Sequence, residues 1–430
     1  TQVRDCDCAF KLFRRETLSS LLEGSDGFLI NAEILTRARL QNRKIIEVGV
    51  THRARPRGTS TVSVLHTIPV FTSLLRFWWS TVLFPPHSQT GVARPSCWTT
   101  GRTLAATTSL CVLASAMMFW NLGYPLVEPD ESRYAQIAAE MVESGDFVVP
   151  RLQGEPYLDK PPLLYWVTAA SFKVFGSNEF AARTACALAA TLTVLFTFWL
   201  GRRLFGSRAA YLGSLMLFLC LGFVLSGRFL IMDGLLTLFT TICFLAACLA
   251  MRGRTVHLGW WAFAACACGL GILTKGPVAV ALTVPPLVVV HWLTQPLARL
   301  RIRHWLIFAT IAIGINAPWF VLVTQQQPGF AEHFLWKHHV VRFVTAFNHQ
   351  EPFWYYLPVL LIGMFPCSLL LAPAIAFLTS RSESMRRLRS WELGCVVAAA
   401  GWIIAFFSVS SCKLPTYVLP AVPFLGLLLA

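Results

Sequence analysis

Beyond Leu104 the chain is a succession of apolar blocks of roughly 20 residues separated by short polar loops, and no other feature limits its fold so severely. A helix rises 1.5 Å per residue, so each block is long enough to cross about 30 Å of hydrocarbon. A soluble domain could not hide them: 55% of the 430 residues are hydrophobic and only 13% charged, too few to clothe a surface facing water on all sides. Candidate spans cover 104–122, 181–200, 209–225, 229–251, 258–273, 278–293, 305–323, 353–378, 393–409 and the stretch from 415 onward. The expected fold class is an all-α polytopic membrane protein with about ten spans and a short N-terminal α/β remnant.

Loop arginines orient these spans. Arg202, Arg203 and Arg208, then Arg252 and Arg254, then Arg299, Arg301 and Arg303, then Arg381, Arg386, Arg387 and Arg389 all fall on one face, which the positive-inside rule makes cytoplasmic. The threading requires the apolar stretch 161–175, short and opening with Pro161-Pro162, to lie on the outer surface instead of spanning. The net charge of +15, from 36 Lys+Arg against 21 Asp+Glu, would suggest nucleic acid in a soluble protein. Here the basic residues sit in short loops, where they set topology and meet anionic lipid, so nucleic acid is excluded as a partner. Many of the 13 cysteines, such as Cys220, Cys243, Cys248, Cys266 and Cys268, lie inside apolar blocks and act as small hydrophobes. Cys6 and Cys8 form a lone CxC without a second pair, so no metal-ligand set is assigned.

Residues 1 to about 60 have a different texture, with mixed charge, a helical stretch GFLINAEILTRARLQ and a β-like IIEVGV, too little to bury a core alone. The following stretch to Phe84, with Pro69, Arg76, Trp78 and Trp79, suits a helix lying in the interface. Three parts result: 1–84, a linker at 85–103, and a membrane domain at 104–430. A start at Thr1 and a stop inside VPFLGLLLA make the chain read as a fragment whose membrane domain is truncated at its C-terminus.

With the arginine loops placed, the remaining ionisable residues collect on the opposite face, although no positioning rule puts them there. The loop after the first span carries Asp130, Glu131, Arg133 and Tyr134, with the acids at a helix start, and then Tyr157, Asp159 and Lys160. Asp233 stands inside an apolar block, where a carboxylate costs on the order of 3 kcal/mol and usually serves a function. Lys275, at the end of a span, His338, then His339 and Arg342, one helical turn apart, and Lys413 complete the set. Carboxylates that accept a proton or hold a cation, beside cations that neutralise a departing phosphate, are what glycosyl transfer from a lipid phosphate requires.

The motifs PDESRYAQIAAEM, GDFVVPRLQGEPYLDKPPLLYW, FGSNEFAAR, LIMDGLL, LTKGP, HHVVRF, EPFWYYLPVL and SCKLPTYVLP resemble, in order, the bacterial branch of the protein O-mannosyltransferase superfamily. This GT-C class includes the lipid A 4-amino-4-deoxy-L-arabinose transferases, and the likeness covers roughly 104–430. It implies that Asp130 is the acidic residue central to catalysis, and that Arg133, Tyr134, Tyr157 and Lys160 line the donor phosphate pocket. Asp233, Lys275, His339, Arg342 and Tyr417 occupy matching positions around an outer cavity, and Asp159 is assigned to donor or substrate binding with them. Those transferases tend to carry Glu where this chain has Asp159, a departure that bears on the donor sugar. Residues 1–84 resemble a second family, the C-terminal end of polyprenyl-phosphate glycosyltransferases akin to dolichol-phosphate mannose synthase, through DCDCAFKLFRRE, GFLINAEILTRARL and VGVTHRARPRGTSTVS. There the loop Arg53 to Arg57 with Gly58 would be the phosphate-side loop, and the absence of the upstream acidic motif makes this part inactive as it stands.

The expected activity is inverting transfer of a sugar from a polyprenyl phosphate to a lipid, glycan or protein acceptor at the outer face of the cell membrane. Asp130 serves as base or orienter, Lys160 and Arg133 stabilise the leaving phosphate, and a divalent cation is a candidate cofactor. The rival expectation is a transporter or lipid flippase with Asp233 and Lys275 as relays. Charges gathered at one face, and no inverted repeat or pair of broken helices in the sequence, speak against it.

Overall fold

The computed structural model describes residues 3, 11–22, 29–49, 51, 67–85, 97–294, 297–344 and 349–430. Two compact units emerge, Thr1–Leu83 and Phe84–Ala430. In the first, α1 (Arg15–Leu21) and α2 (Ile30–Leu40) pack through Leu21, Ile34 and Ala38, and Arg37 donates to the Leu21 carbonyl at 2.9 Å. The helix expected from GFLINAEILTRARLQ therefore forms. The strand expected from IIEVGV does not form over its described part: residues 45–49 carry no regular structure, and among the described residues of this unit no neighbouring strand takes up their backbone groups. Helix α3 (Thr67–Phe77) continues into a π-helical turn at Trp78–Leu83, with Ile68, Phe71, Leu74 and Trp78 exposed at helical spacing. Cys6, Cys8 and the loop Arg53 to Arg57 lie outside the described residues.

The second unit is a helical bundle. In chain order it contains α4 (Thr100–Phe119), α5 (Asp130–Ser144), a hairpin of β1 (Arg151–Leu152) and β2 (Glu155–Pro156), α6 (Leu163–Phe175), α7 (Glu179–Phe205), α8 (Ser207–Leu219) and α9 (Leu221–Gly227). Then follow α10 (Met232–Met251), α11 (Leu258–Lys275), α12 (Val278–Leu293), α13 (Ile302–Gln326), a π-helical stretch Glu332–Val341, α14 (Tyr356–Gly363), α15 (Cys367–Thr379), α16 (Glu383–Leu388), α17 (Trp391–Val409) and α18 (Val422–Leu429). Six of these helices are long and apolar enough to cross a membrane, or eight if each of two bent pairs is one span. Two of the ten expected blocks, α12 and the stretch Pro415–Leu429, form shorter apolar helices. Helix α6 has 13 residues, about 20 Å, short of a crossing, as its Pro-Pro opening suggested.

The centre of the bundle is α10, in which every residue but Phe239 is buried. Helices α7, α11 and the 3₁₀ segment Pro415–Ala421 surround it. At its far end Arg252 donates to the Arg203 carbonyl and the Ala298 amide bonds the Met251 carbonyl at 2.9 Å. Three of the four arginine loops thus meet at one end of the bundle, as the threading required. One expectation is corrected. The sequence showed no pair of broken helices, yet α8–α9 bends by 73° and α14–α15 by 112°, and the two meet where Gly222 lies against Gly363. A Cβ on Gly222 would sit 3.1 Å from the Gly363 Cα, so the approach depends on glycine. Neither break, at Cys220 or at Met364 to Pro366, holds a charged residue, unlike the half-helix ends that bind ions in transporters.

Candidate active site at the end of the bundle opposite the arginine loops

Adjacent residues at the start of α5 face opposite ways. Asp130 is the first helical residue, where the helix dipole favours a carboxylate, and its side chain is 46% exposed. Arg133, one turn on, bonds it at 3.1 Å. Glu131 turns inward to Arg183 of α7, which is fully buried. The guanidinium gives Nε and Nη2 to the two Glu131 oxygens at 2.9 and 2.7 Å, and its other N–H groups to the carbonyls of Leu122, Tyr124 and Pro125. Glu131 also accepts the amides of Val127 and Leu230 at 2.8 and 2.7 Å. This paired, fully bonded buried charge ties the loop before Asp130 to the bundle.

The segment carrying Tyr157, Asp159 and Lys160 is held on three sides. The Glu140 carboxylate of α5 accepts the Gln153 and Gly154 amides at the hairpin tip, at 2.7 and 3.1 Å. Trp166 of α6 and Trp319 of α13 donate their indole N–H to Phe147 and Val148, each at 2.8 Å. Tyr157 is hydrogen-bonded to Arg133, and its phenol is pushed up to about 12, first by burial and then by Asp159. Tyr134 is buried, its ring 5.9 Å from that of Tyr165 and near enough to Asp130 and Asp233 to feel both charges.

Asp233, at the N-terminus of α10, and Lys275, at the C-terminus of α11, form a buried ion pair at 2.5 Å, each at the helix end that favours its charge. Thr416 donates to the other Asp233 oxygen at 2.9 Å, and the Lys275 ammonium lies 4.1 Å from the centre of the Tyr417 ring. His339 and Arg342, expected as neighbours one turn apart, turn to different partners. His339 reaches the carbonyls of Phe334 (2.6 Å) and Lys275 (3.3 Å), while Arg342 bonds Cys412 beside Tyr417. Burial lowers the His339 imidazole, and a neutral ring has one N–H, so it serves the nearer Phe334 carbonyl.

Gly276 allows this contact. Its φ is +72°, and a Cβ there would stand 2.6 Å from Phe334 and 2.9 Å from His339. Gly276→Ala is therefore expected to cost about 1–3 kcal/mol for a backbone, with ψ at −150°, that essentially only glycine adopts, and about 1–3 kcal/mol for overpacking. Gly145→Ala, in the left-handed helical region at φ +71° and ψ 4° with open space around it, carries only about 1 kcal/mol for the backbone. Thermal unfolding of the two variants in one detergent tests the difference, and equal losses would contradict it.

Asp159 accepts from Nε2 of both His333 (3.2 Å) and His338 (3.0 Å). Burial opposes its ionisation, but the His338 and His333 hydrogen bonds and the Lys160 charge outweigh burial and hold the carboxyl well below the usual range. Their donor atoms lie within 4.8 Å of one another, and two imidazoles with one carboxylate suit zinc or another first-row divalent ion. The sequence reading passed over His333, His338 as a ligand, Arg183 and Thr416. The charge inventory is uneven. Asp130 is paired with Arg133, Asp233 with Lys275, and Asp159 with two histidines, whereas Lys160 and Arg342 have no carboxylate at ion-pair distance among the described residues. Burial pushes the Lys160 ammonium down to about 8, helped by the charges of Lys275 and Arg342.

An all-helical membrane bundle whose post-first-span loop folds into a charged cleft at one end defines a polytopic protein of GT-C architecture. The chain belongs to the dolichyl-phosphate-mannose-protein mannosyltransferase family, whose pattern matches residues 108–334, more than half of its length. It is 35% identical over 315 residues to the undecaprenyl phosphate-alpha-4-amino-4-deoxy-L-arabinose arabinosyl transferase of Erwinia tasmaniensis, covering 71% of this chain and 55% of that protein. This chain thus spans about half the length of the curated relatives it matches. The crystal structure of ArnT from Cupriavidus metallidurans bound to undecaprenyl phosphate superposes with a TM-score of 0.65 at 29% identity, over 76% of this chain and 59% of that one. The oligosaccharyltransferase AglB of Archaeoglobus fulgidus, at a TM-score of 0.50 and 13% identity over 76% of this chain and 49% of that one, shares the fold alone.

Proposed function

We propose that the protein transfers a sugar from a polyprenyl phosphate to an acceptor at the outer face of the cell membrane. The observation that carries this reading is the pair of neighbouring cations, Lys160 and Arg342, with no carboxylate at ion-pair distance among the described residues. Such a cation pair seats one phosphate. The solved relative bound to undecaprenyl phosphate supports the donor class.

In this mechanism the acceptor oxygen attacks the anomeric carbon from the side opposite the phosphate, the carbon–oxygen bond to phosphate breaks, and its electron pair passes to the phosphate oxygen. Inversion follows from that geometry. Lys160 and Arg342, with Arg133, stabilise the charge that grows on the leaving polyprenyl phosphate. If the acceptor is an alcohol, its proton passes to the Asp130 carboxylate; if it is a phosphate, Asp130 orients it. A divalent ion on Asp159, His333 and His338 would add positive charge next to Lys160. Residues 1–84 fit a carrier-charging partner on the cytoplasmic face, with a flippase between the two steps.

The test is transfer of radiolabelled sugar from a panel of synthetic polyprenyl-phosphate sugars by the full-length protein in proteoliposomes. One donor should be turned over, and Lys160→Ala should lose it. No turnover of any donor would move the reading toward a transporter. The pH dependence is a second check. Lys160 carries its charge below about 8, so kcat/KM for the donor should fall as pH rises through that value. Lys160→Arg, always charged, should shift this alkaline limb upward by more than one unit. An unmoved limb would remove Lys160 from phosphate binding.

A further inference from the structure

At the other end of the bundle, Arg254, Arg299, Arg301 and Arg303 converge on one cavity of about 660 Å³. No acidic residue lines it, and none of the four has an ion-pair partner among the described residues. The N-termini of α11, at Leu258, and of α13, through Arg301, Arg303 and His304, border it, adding two positive half-dipoles. The frame is rigid: the Ala298 amide bonds the Met251 carbonyl, the Trp261 indole N–H bonds the His304 carbonyl at 2.7 Å, and the Arg301 amide bonds His304 Nδ1 at 2.9 Å. The inner wall is apolar, formed by Leu258, Leu297 and Ile307.

Topology alone needs positive charge in these loops, not its convergence. The comparison lies within the molecule, since Arg387 of α16 is paired with Glu383 at 3.2 Å and Arg389 is spent on the carbonyls of Phe377 and Ser380. Four guanidiniums without a counterion repel one another until an anion enters. Arginine forks match phosphate oxygens, and an apolar wall below a basic rim suits a headgroup whose acyl chains run down the bundle.

We propose that this cavity binds the phosphate headgroup of an anionic phospholipid of the leaflet on that side, with a two-phosphate lipid such as diphosphatidylglycerol bound more tightly than a one-phosphate lipid. The site is separate from the candidate active site, and its test does not depend on sugar transfer.

The experiment measures thermal unfolding of the delipidated full-length protein, and lipid retained in native mass spectra, with diphosphatidylglycerol, phosphatidylglycerol, phosphatidylcholine or inorganic phosphate added. The parent protein should be stabilised by the two anionic lipids and not by phosphatidylcholine. Arg299→Gln/Arg303→Gln should weaken that response tenfold or more, and Arg386→Gln/Arg387→Gln, with the same loss of charge, should leave it unchanged. Equal weakening by both pairs would reduce the effect to diffuse attraction and overturn the proposal. A full response to inorganic phosphate at the same concentration would make this a free-anion site instead. If the Gln pair does not insert, Arg299→Lys/Arg303→Lys decides: it keeps the topology charge but loses the forks, so an undiminished lipid response would count against the site.

Discussion

Asp130→Ala lowers the rate of sugar transfer by about 10²–10⁴-fold while the protein stays folded and the donor stays bound. The stability part follows from placement, because Asp130 is half exposed at a helix start and its ion pair to Arg133 joins residues of a single turn. Such exposed pairs contribute about 0–1 kcal/mol. The binding part follows from the cation inventory, since Lys160 and Arg342 remain to hold the phosphate. The rate part rests on the proposed role. Asp130→Asn separates the two versions of it, because an amide can still orient an acceptor but cannot take its proton. With an alcohol acceptor the Asn variant should be as slow as Ala; with a phosphate acceptor it should recover part of the rate. Normal insertion with undiminished transfer by the Ala variant would exclude both.

Arg183→Met should have the opposite signature, a large loss of stability with activity lost as a consequence. Removing one member of a buried pair leaves an uncompensated charge, at a cost of about 3–5 kcal/mol. Here Glu131 would keep two backbone amides, while the carbonyls of Leu122, Tyr124 and Pro125 would lose their donor. The stacking of the guanidinium on Tyr124, at 3.6 Å, is lost as well. Arg183→Lys should fail almost as badly, because three ammonium protons cannot serve five acceptor contacts. The double variant Glu131→Gln/Arg183→Met removes the stranded charge and should regain part of the loss. Thermal unfolding in detergent reads all three, and a midpoint for Arg183→Met equal to that of the parent would mean that the pair does not anchor the loop.

The membrane bundle was legible because hydrocarbon thickness dictates block length, and the arginine loops could be checked against one another. The bends were less so. Pro366 marks the break between α14 and α15, but α8 breaks at Cys220 with no proline to announce it, and only the later meeting of Gly222 with Gly363 explains the two together. Asp233 stood out as a charge inside an apolar block. Arg183 sits equally deep in one, and the same cost argument would have selected it. His333 and His338 were missed for a geometric reason. Five residues apart, they fall on different faces of an α-helix, but Glu332–Val341 is π-helical, with bonds from i to i+5, and their rings come within 4.7 Å. Arg342, placed one turn after His339 by α-helical counting, begins an α-helical segment just beyond the π-turn and points elsewhere for the same reason.

Helix α10 has the highest mean hydropathy of the six long spans, yet it is the one most completely enclosed by other helices. In the finished protein its side chains meet neighbours, and the hydroxyls of Thr237 and Thr240 are returned to carbonyls of their own helix. Its greasiness also suits biosynthesis, when the nascent segment must pass from the translocon into lipid with α7 beside it but before α11 and the segments after it exist. The site inherits that order of events: Asp233 enters the bilayer before its counterion, and Lys275, made 42 residues later, arrives to neutralise it.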